Sequence, residues 1–88
     1  MYDLAVKESL DKKFRKLKKK DRGMLASIDK KVQDILDDPY RFKSLKKPLQ
    51  NKRRVHVWGS YVLIYEINEE KKLVTLLDFE HHDNIYKI

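Results

Sequence analysis

The sequence predicts an α+β fold: an N-terminal strand, then an antiparallel two-helix hairpin packed on a mainly antiparallel β-sheet, in the order βααβββ. Three observations carry that expectation. Residues 9–38 hold two apolar stripes at helical spacing, residues 53–82 hold strand-like runs, and the two patterns are segregated along the chain rather than interleaved, as in α+β rather than α/β architectures. The 88 residues suit one domain spanning 1–88, and a chain of this size buries only roughly 60–65% of its unfolded surface, so a single modest core must serve every element.

The opening YDLAV alternates weakly and reads as a short strand. Ser9 is placed to cap a helix whose Leu10, Phe14 and Leu17 follow i, i+4, i+7 spacing. KLKKKDRG breaks this pattern at Gly23 or just before it, and a second helix aligns Met24, Ile28, Val32 and Ile35, with Leu25 and Leu36 widening the stripe. That helix stops at Asp38, because Pro39 disfavours helical geometry in the residue before it. From Tyr40 to Lys52 there is no clean period, and a loop with at most one helical turn is expected. RRVHVWG then alternates, placing Val55 and Val57 on one face and Arg54, His56 and Trp58 on the other. SYVLIYEI is a near-continuous apolar run, the pattern of a central strand covered on both faces. NEEKK closes a hairpin, and LVTLLDFEHH returns as the last strand, with Asp83 and Asn84 as turn formers after it.

Composition removes several chemistries. Without cysteine there is no disulfide, thiolate metal site or cysteine nucleophile. Two glycines thirty-odd residues apart cannot build a phosphate-cradling loop, and no serine sits in a nucleophile elbow. No small-molecule cofactor is expected. No apolar run reaches signal-peptide or membrane-spanning length, so a cytoplasmic protein without membrane contact is expected. Twenty-one Lys and Arg against fourteen Asp and Glu leave a net charge of +7, which attracts polyanions: nucleic acid, an acidic protein, or both.

The candidate chemistry lies on the alternating strand and beyond the last one. Arg54 and His56 project side by side, with Lys52 and Arg53 adjacent, forming a basic comb. Guanidinium forks suit phosphate oxygens, and Trp58 or Tyr61 can stack on a base. The same residues also fit an edge strand made basic to prevent pairing with other strands. In FEHHDNIYKI, strand geometry continued up to His82 puts His81 and His82 on opposite faces, so at most one reaches the site of Arg54. Histidine titrates naturally near neutral pH and Tyr86 carries a phenol, so His82 and Tyr86 are candidate proton-transfer partners. A metal site from His81, His82, Asp83 and His56 is not expected, since adjacent strand histidines point apart and no HxH or HExxH spacing is present.

KPLQNKRRVHVWGSYVLIYEI, followed after a short hairpin by VTLLDFEHHDNIY, resembles the RelE/ParE superfamily of bacterial and archaeal type II toxins, in its RelE-like mRNA interferase branch. The shared pattern is a basic strand, a glycine turn leading into a tyrosine and an apolar strand, a second apolar strand, and a His or Arg four residues before a closing aromatic. Arg54 with His56, Gly59 with Tyr61, and His82 with Tyr86 occupy these places; the N-terminal half agrees only in the order of its elements.

The resemblance implies a toxin that enters the ribosome and cuts mRNA without metal, by attack of a ribose 2′-hydroxyl on the adjacent phosphate. Arg54 and His56 would form the cationic pair and His82 and Tyr86 would transfer protons or stack on a base, while Lys52, Arg53, Trp58, Lys18 and Lys19 would bind RNA. It also implies an antitoxin partner, and the lysine-rich helix and +7 charge suit an acidic, partly disordered one. Many active relatives place arginine directly after the tyrosine of the glycine turn, whereas this chain has Val62. Loss of one such preorganised charge typically slows a reaction about 100- to 1000-fold. Either Arg53 or a lysine of the first helix substitutes, or the protein is a weak nuclease, and His56, a less permanent cation than Lys or Arg, would make activity depend on pH. A non-catalytic module remains the second reading, either a ParE-like gyrase inhibitor or a decayed toxin that binds its antitoxin.

Overall fold

The computed structural model describes residues 1–46 and 51–85, the side chain of Ile85 excepted. Its elements are β1 (Asp3–Val6), α1 (Glu8–Lys20), α2 (Arg22–Asp37), β2 (Lys52–Val57), β3 (Tyr61–Asn68), β4 (Leu73–His81) and a single-turn α3 (His82–Ile85). The sheet order is β1-β4-β3-β2. The short connections make β2–β3 and β3–β4 antiparallel, whereas β1 lies parallel to β4, pairing Asp3 with Leu73 through Val6 with Leu76. The fold is the expected one, with one parallel pair in its mixed sheet.

The helix boundaries follow from local hydrogen bonds. Lys7 N–H donates to the Leu76 carbonyl at 2.9 Å, pinning the chain as it leaves β1, and the Lys7 carbonyl accepts from Leu10 and Asp11, each at 2.9 Å. The helix therefore starts at Glu8, and Ser9, expected as the cap, already lies within it; Lys7 holds the cap position without a side-chain bond. Glu8 and Asp11 in the first turn and Lys18, Lys19 and Lys20 in the last complement the helix dipole. Asp21 ends α1 and begins α2: its N–H donates to the Leu17 carbonyl at 2.7 Å, while its carboxylate accepts from Met24 N–H at 3.0 Å. The break is one residue long, and Gly23 falls inside the first turn of α2.

The main core lies between the helical hairpin and one sheet face. Leu10, Met24, Ile28, Val32 and Ile35 pack there against Val55, Val57, Leu63, Tyr65, Val74, Leu76 and Phe79. A smaller cluster, Val62 and Ile64 with Leu45 and Leu77, occupies the opposite face, so β3 is covered on both sides. The irregularity between Ile64 and Tyr65 gives β4 an extra residue, Leu77, opposite β3. It shifts the alternation of β4, so that both Leu76 and Phe79 reach the main core.

Two polar clasps anchor the end of the sheet near the β3–β4 hairpin. The buried Tyr65 hydroxyl donates to the Pro39 carbonyl at 2.6 Å, tying β3 to the end of α2. Glu69 accepts from the Tyr2 and Tyr40 hydroxyls, each at 2.6 Å, and pairs with Lys72, joining the start of β1, the segment after α2 and the hairpin. The hydrogen bond from Lys72, followed by those from Tyr2 and Tyr40, holds the Glu69 carboxyl down at about 2, and Glu69 in turn pushes Tyr40 up to about 12.

Burial pushes the Tyr65 phenol from 10.0 up to about 12. A raised folded value means folding favours the neutral phenol, so this stabilisation is complete below pH 10.0 and is lost as pH climbs toward about 12. Replacing Tyr65 with Phe is expected to lower unfolding free energy by about 1 kcal/mol at neutral pH and to flatten the alkaline decline in urea midpoint. Glu69 has the opposite sign: its contribution is present above 4.5 and lost as pH falls toward about 2. The Glu69→Gln variant is therefore expected to lose less stability than wild type across that acid window, read by the same urea titration.

Candidate active site

β2 carries the basic residues. Val55 and Val57 face the main core, so alternation turns Lys52, Arg54 and His56 to the other face. His56 is exposed and Arg54 half-buried. The outer edge of β2 is partly paired, because Ser44 bridges Arg53, Leu45 N–H donates to the Lys52 carbonyl at 2.9 Å and Arg54 N–H donates to the Lys43 carbonyl at 3.1 Å. That stretch of edge is protected by backbone pairing as well as by charge.

Two residues expected with this comb point elsewhere. Arg53 donates to the Phe42 carbonyl at 2.6 Å and the Tyr40 carbonyl at 3.3 Å, and its guanidinium lies 5.1 Å from the centre of the Tyr40 ring. It braces the segment after α2. Trp58 leaves the strand with φ 54°, followed by Gly59 at φ 73°. This left-handed start to the turn swings the indole away from Arg54 and His56 toward α2, where Nε1 donates to Ser27 Oγ at 2.8 Å and the ring lies against Gly23. The expected placement of Trp58 on the comb face is thus corrected, although the residue remains 56% exposed.

Register lines up the outer face of the sheet. His56 pairs with Val62, which pairs with Glu80, and Arg54 pairs with Ile64, which pairs with Asp78. Adjacent strands lie about 4.8 Å apart, so the β2 cations and the β4 acids are separated by roughly 10 Å across an apolar strip. Val62, in the place where the resemblance expects arginine, is completely buried in that strip with Ile64, Leu45 and Leu77. The acids are neutralised from α1: Lys13 Nζ pairs with Asp78 at 3.1 Å and with Glu80, and donates to the Phe79 carbonyl at 3.0 Å. Burial disfavours the Lys13 ammonium, but the hydrogen bonds with Glu80 and Asp78 outweigh it and raise its pKa. The sequence signal for this clip was Asp78 and Glu80, two residues apart in an otherwise apolar strand.

The histidine corner differs from the expectation of a strand running through His82. β4 ends at His81 and the chain coils into α3. His82 N–H donates to the Ser60 carbonyl at 2.9 Å, and His82 Nδ1 lies 3.2 Å from the same oxygen. The His81 and His82 rings consequently stack at 4.8 Å instead of pointing to opposite faces. Asp83, in α3 rather than a turn, approaches both: Oδ1 lies 3.0 Å from His82 Nε2, and Oδ2 lies 3.6 Å from His81 Nδ1. This fastening to Ser60 puts His82 at the end of the sheet that carries His56, about two strand residues, roughly 7 Å, beyond the row of His56 and Val62. Tyr86 lies outside the described residues.

A recess of about 390 Å³ beside the corner is lined by Phe14, Leu17, Tyr61, Phe79, His81 and Asn84, among others. Tyr61 stacks on Phe79 at 5.4 Å and meets His81 edge-on at 5.6 Å. Because Leu17 reaches this recess, the exposed Lys18 and Lys19 that follow it come to the same end of the molecule.

The family described as ParE toxin of type II toxin-antitoxin system, parDE, matches residues 2–86. The chain belongs to the RelE/ParE superfamily of type II toxins. The chain is 44% identical over 87 residues to "Putative toxin RelE4" of Methanocaldococcus jannaschii, covering 99% of this chain and 93% of that protein. The intact RelBE toxin–antitoxin complex of E. coli contains a chain that superimposes with a TM-score of 0.79 at 22% identity, covering 92% of this chain and 96% of that one. A YoeB/ParE toxin from Agrobacterium tumefaciens gives 0.82 at 12% identity, covering 91% and 98%. Within this superfamily fold no helix among the described residues is long and apolar enough to cross a membrane.

Lys13 is half-exposed, so its ion pairs are screened. The Lys13→Met variant is expected to lose about 0.5–1 kcal/mol of stability, with the loss shrinking as salt rises. Urea unfolding at low and high ionic strength measures both.

Proposed function

We propose that this protein is the single-domain toxin of a cytoplasmic type II pair and acts as a ribosome-dependent mRNA endoribonuclease. The observation that carries this reading is the shared face of Arg54 and His56 on β2, with His82 fastened to the β2–β3 turn at the end of the sheet beyond His56 and the lysine-rich end of α1 reaching that same end. The proposed reaction is attack of a ribose 2′-hydroxyl on the neighbouring phosphate, with expulsion of the 5′-oxygen. It needs a base for the hydroxyl, cations for the charge of the phosphorane and an acid for the departing oxygen.

Arg54 supplies a planar donor pair to the phosphate, with His56 beside it. His82 and Tyr86 serve as proton-transfer or base-stacking groups. Lys52, Lys18 and Lys19 bind the RNA backbone, while Arg53 contributes by holding the segment after α2 and Trp58 by closing the β2–β3 turn. The Lys13 clip keeps Asp78 and Glu80 from repelling the incoming phosphate. Side chains alone perform these steps.

The proposed partner is an antitoxin encoded with the toxin, as the E. coli relative is held in its RelBE complex. A net charge of +7 favours an acidic segment that orders on binding. The buried Val62 favours a second reading, because the position where the resemblance expects an arginine carries no charge and is closed to solvent. On that reading the protein is a weak or inactive homologue that binds antitoxin, or a ParE-like gyrase inhibitor.

Expression of wild type and of Arg54→Ala, with primer extension on a reporter mRNA, separates these readings. Codon-phased cuts are expected from wild type, and the variant is expected to cut about 100- to 1000-fold more slowly. Growth arrest with intact mRNA and inhibited supercoiling would instead assign the gyrase activity, and no arrest would assign the inactive homologue.

A further inference from the structure

The corner where β4 passes into α3 holds a set of ligand-type groups that the proposed cleavage does not use together. His81, His82 and Asp83 each offer one donor atom, all within 4.8 Å of one another. We propose that these three residues form a binding site for a divalent transition-metal ion of the zinc class, and that the bound ion represses the toxin.

The hydrogen bonds orient the donors. The Ser60 carbonyl, 3.2 Å from His82 Nδ1, assigns the ring proton to that nitrogen and leaves the Nε2 lone pair directed at Asp83 Oδ1, 3.0 Å away. Two lone pairs at that distance repel unless a proton or a cation lies between them. His81 Nδ1 accepts from Asp83 N–H at 3.3 Å, a long bond that a bound ion would replace, and it sits 3.6 Å from the other carboxylate oxygen. Donors bound at about 2.0–2.2 Å around a tetrahedral ion lie roughly 3.3 Å apart, close to both separations. The Ser60 carbonyl supplies the outer hydrogen bond that fixes the tautomer of a metal-ligating histidine.

Two imidazoles and one carboxylate favour zinc, nickel or copper over magnesium or calcium, which prefer oxygen ligands. His82 and Asp83 are exposed, so water completes the coordination. The expectation that neighbouring histidines point apart fails because His82 begins a helical turn. An ion at this site occupies His82 Nε2 and removes that group from proton transfer. This repression, unlike the site itself, rests on the proposed nuclease activity.

Calorimetric titration of the untagged full chain with Zn²⁺ tests the site without reference to catalysis. One ion per chain is expected, with His81→Ala and Asp83→Asn each weakening binding about tenfold or more, His56→Ala leaving it unchanged, and Mg²⁺ producing no heat. Absence of Zn²⁺ binding, or equal binding by wild type and both variants, would overturn the site. His81 packs edge-on against Tyr61, so the exposed Asp83 provides the second variant should the first not fold. Cleavage of ribosome-bound mRNA with and without Zn²⁺ tests repression: wild type is expected to be inhibited and His81→Ala to cut equally under both conditions. Cleavage by wild type that Zn²⁺ leaves unchanged despite measured binding overturns repression alone. Binding without any cleavage in either condition overturns the nuclease reading and leaves the site standing.

Discussion

Among the described residues β1 pairs with residues 73–76 of β4 and no strand lies beyond the second half of β4, so that His82 stands at the end of an open edge. The unpaired backbone would invite another strand. Lys13 closes it by reaching from α1 to the Phe79 carbonyl and the two flanking acids. Freed from a neighbour on one side, the chain can coil into α3 at His82, and the Ser60 carbonyl fastens that coil to the β2–β3 turn on the other side. The short first strand, the lysine of α1 and the carbonyl of the turn together decide where His82 stands relative to Arg54 and His56.

The sheet has two chemically different ends. Near the β3–β4 hairpin, Glu69 gathers two tyrosine hydroxyls and Lys72, and Tyr65 is clasped to Pro39. These contacts lock the start of β1, the end of α2 and the hairpin to one another. At the other end lie the histidines, the left-handed turn and the lysines of α1.

Much of the fold was legible because periodicity reports burial directly. The stripe of Met24, Ile28, Val32 and Ile35 and the alternation of Val55 and Val57 met the same core, and α2 ends with Asp38 as its cap, just before Pro39. Features set by hydrogen bonds between distant residues were not legible. Ser9 lost the cap because Lys7 is held by Leu76. Asp21, which serves both helices, was masked by the stronger turn signal of Gly23. At the proposed site the shared face of Arg54 and His56 was legible in the alternation of β2. The assembly of the site was hidden by the positive φ of Trp58, by the engagement of Arg53 with backbone carbonyls, and by the helical turn that brings His81 and His82 onto one side.

Chemistry at this end of the sheet is tested most directly with purified protein, programmed ribosomes and two mRNAs. One is all-ribose, and the other lacks the 2′-hydroxyl at the nucleotide on the 5′ side of the cut. Proton transfer through His82 with phosphate held by Arg54 predicts cleavage of the first mRNA and none of the second. Equal cleavage of both, or an uncut all-ribose message, would contradict it.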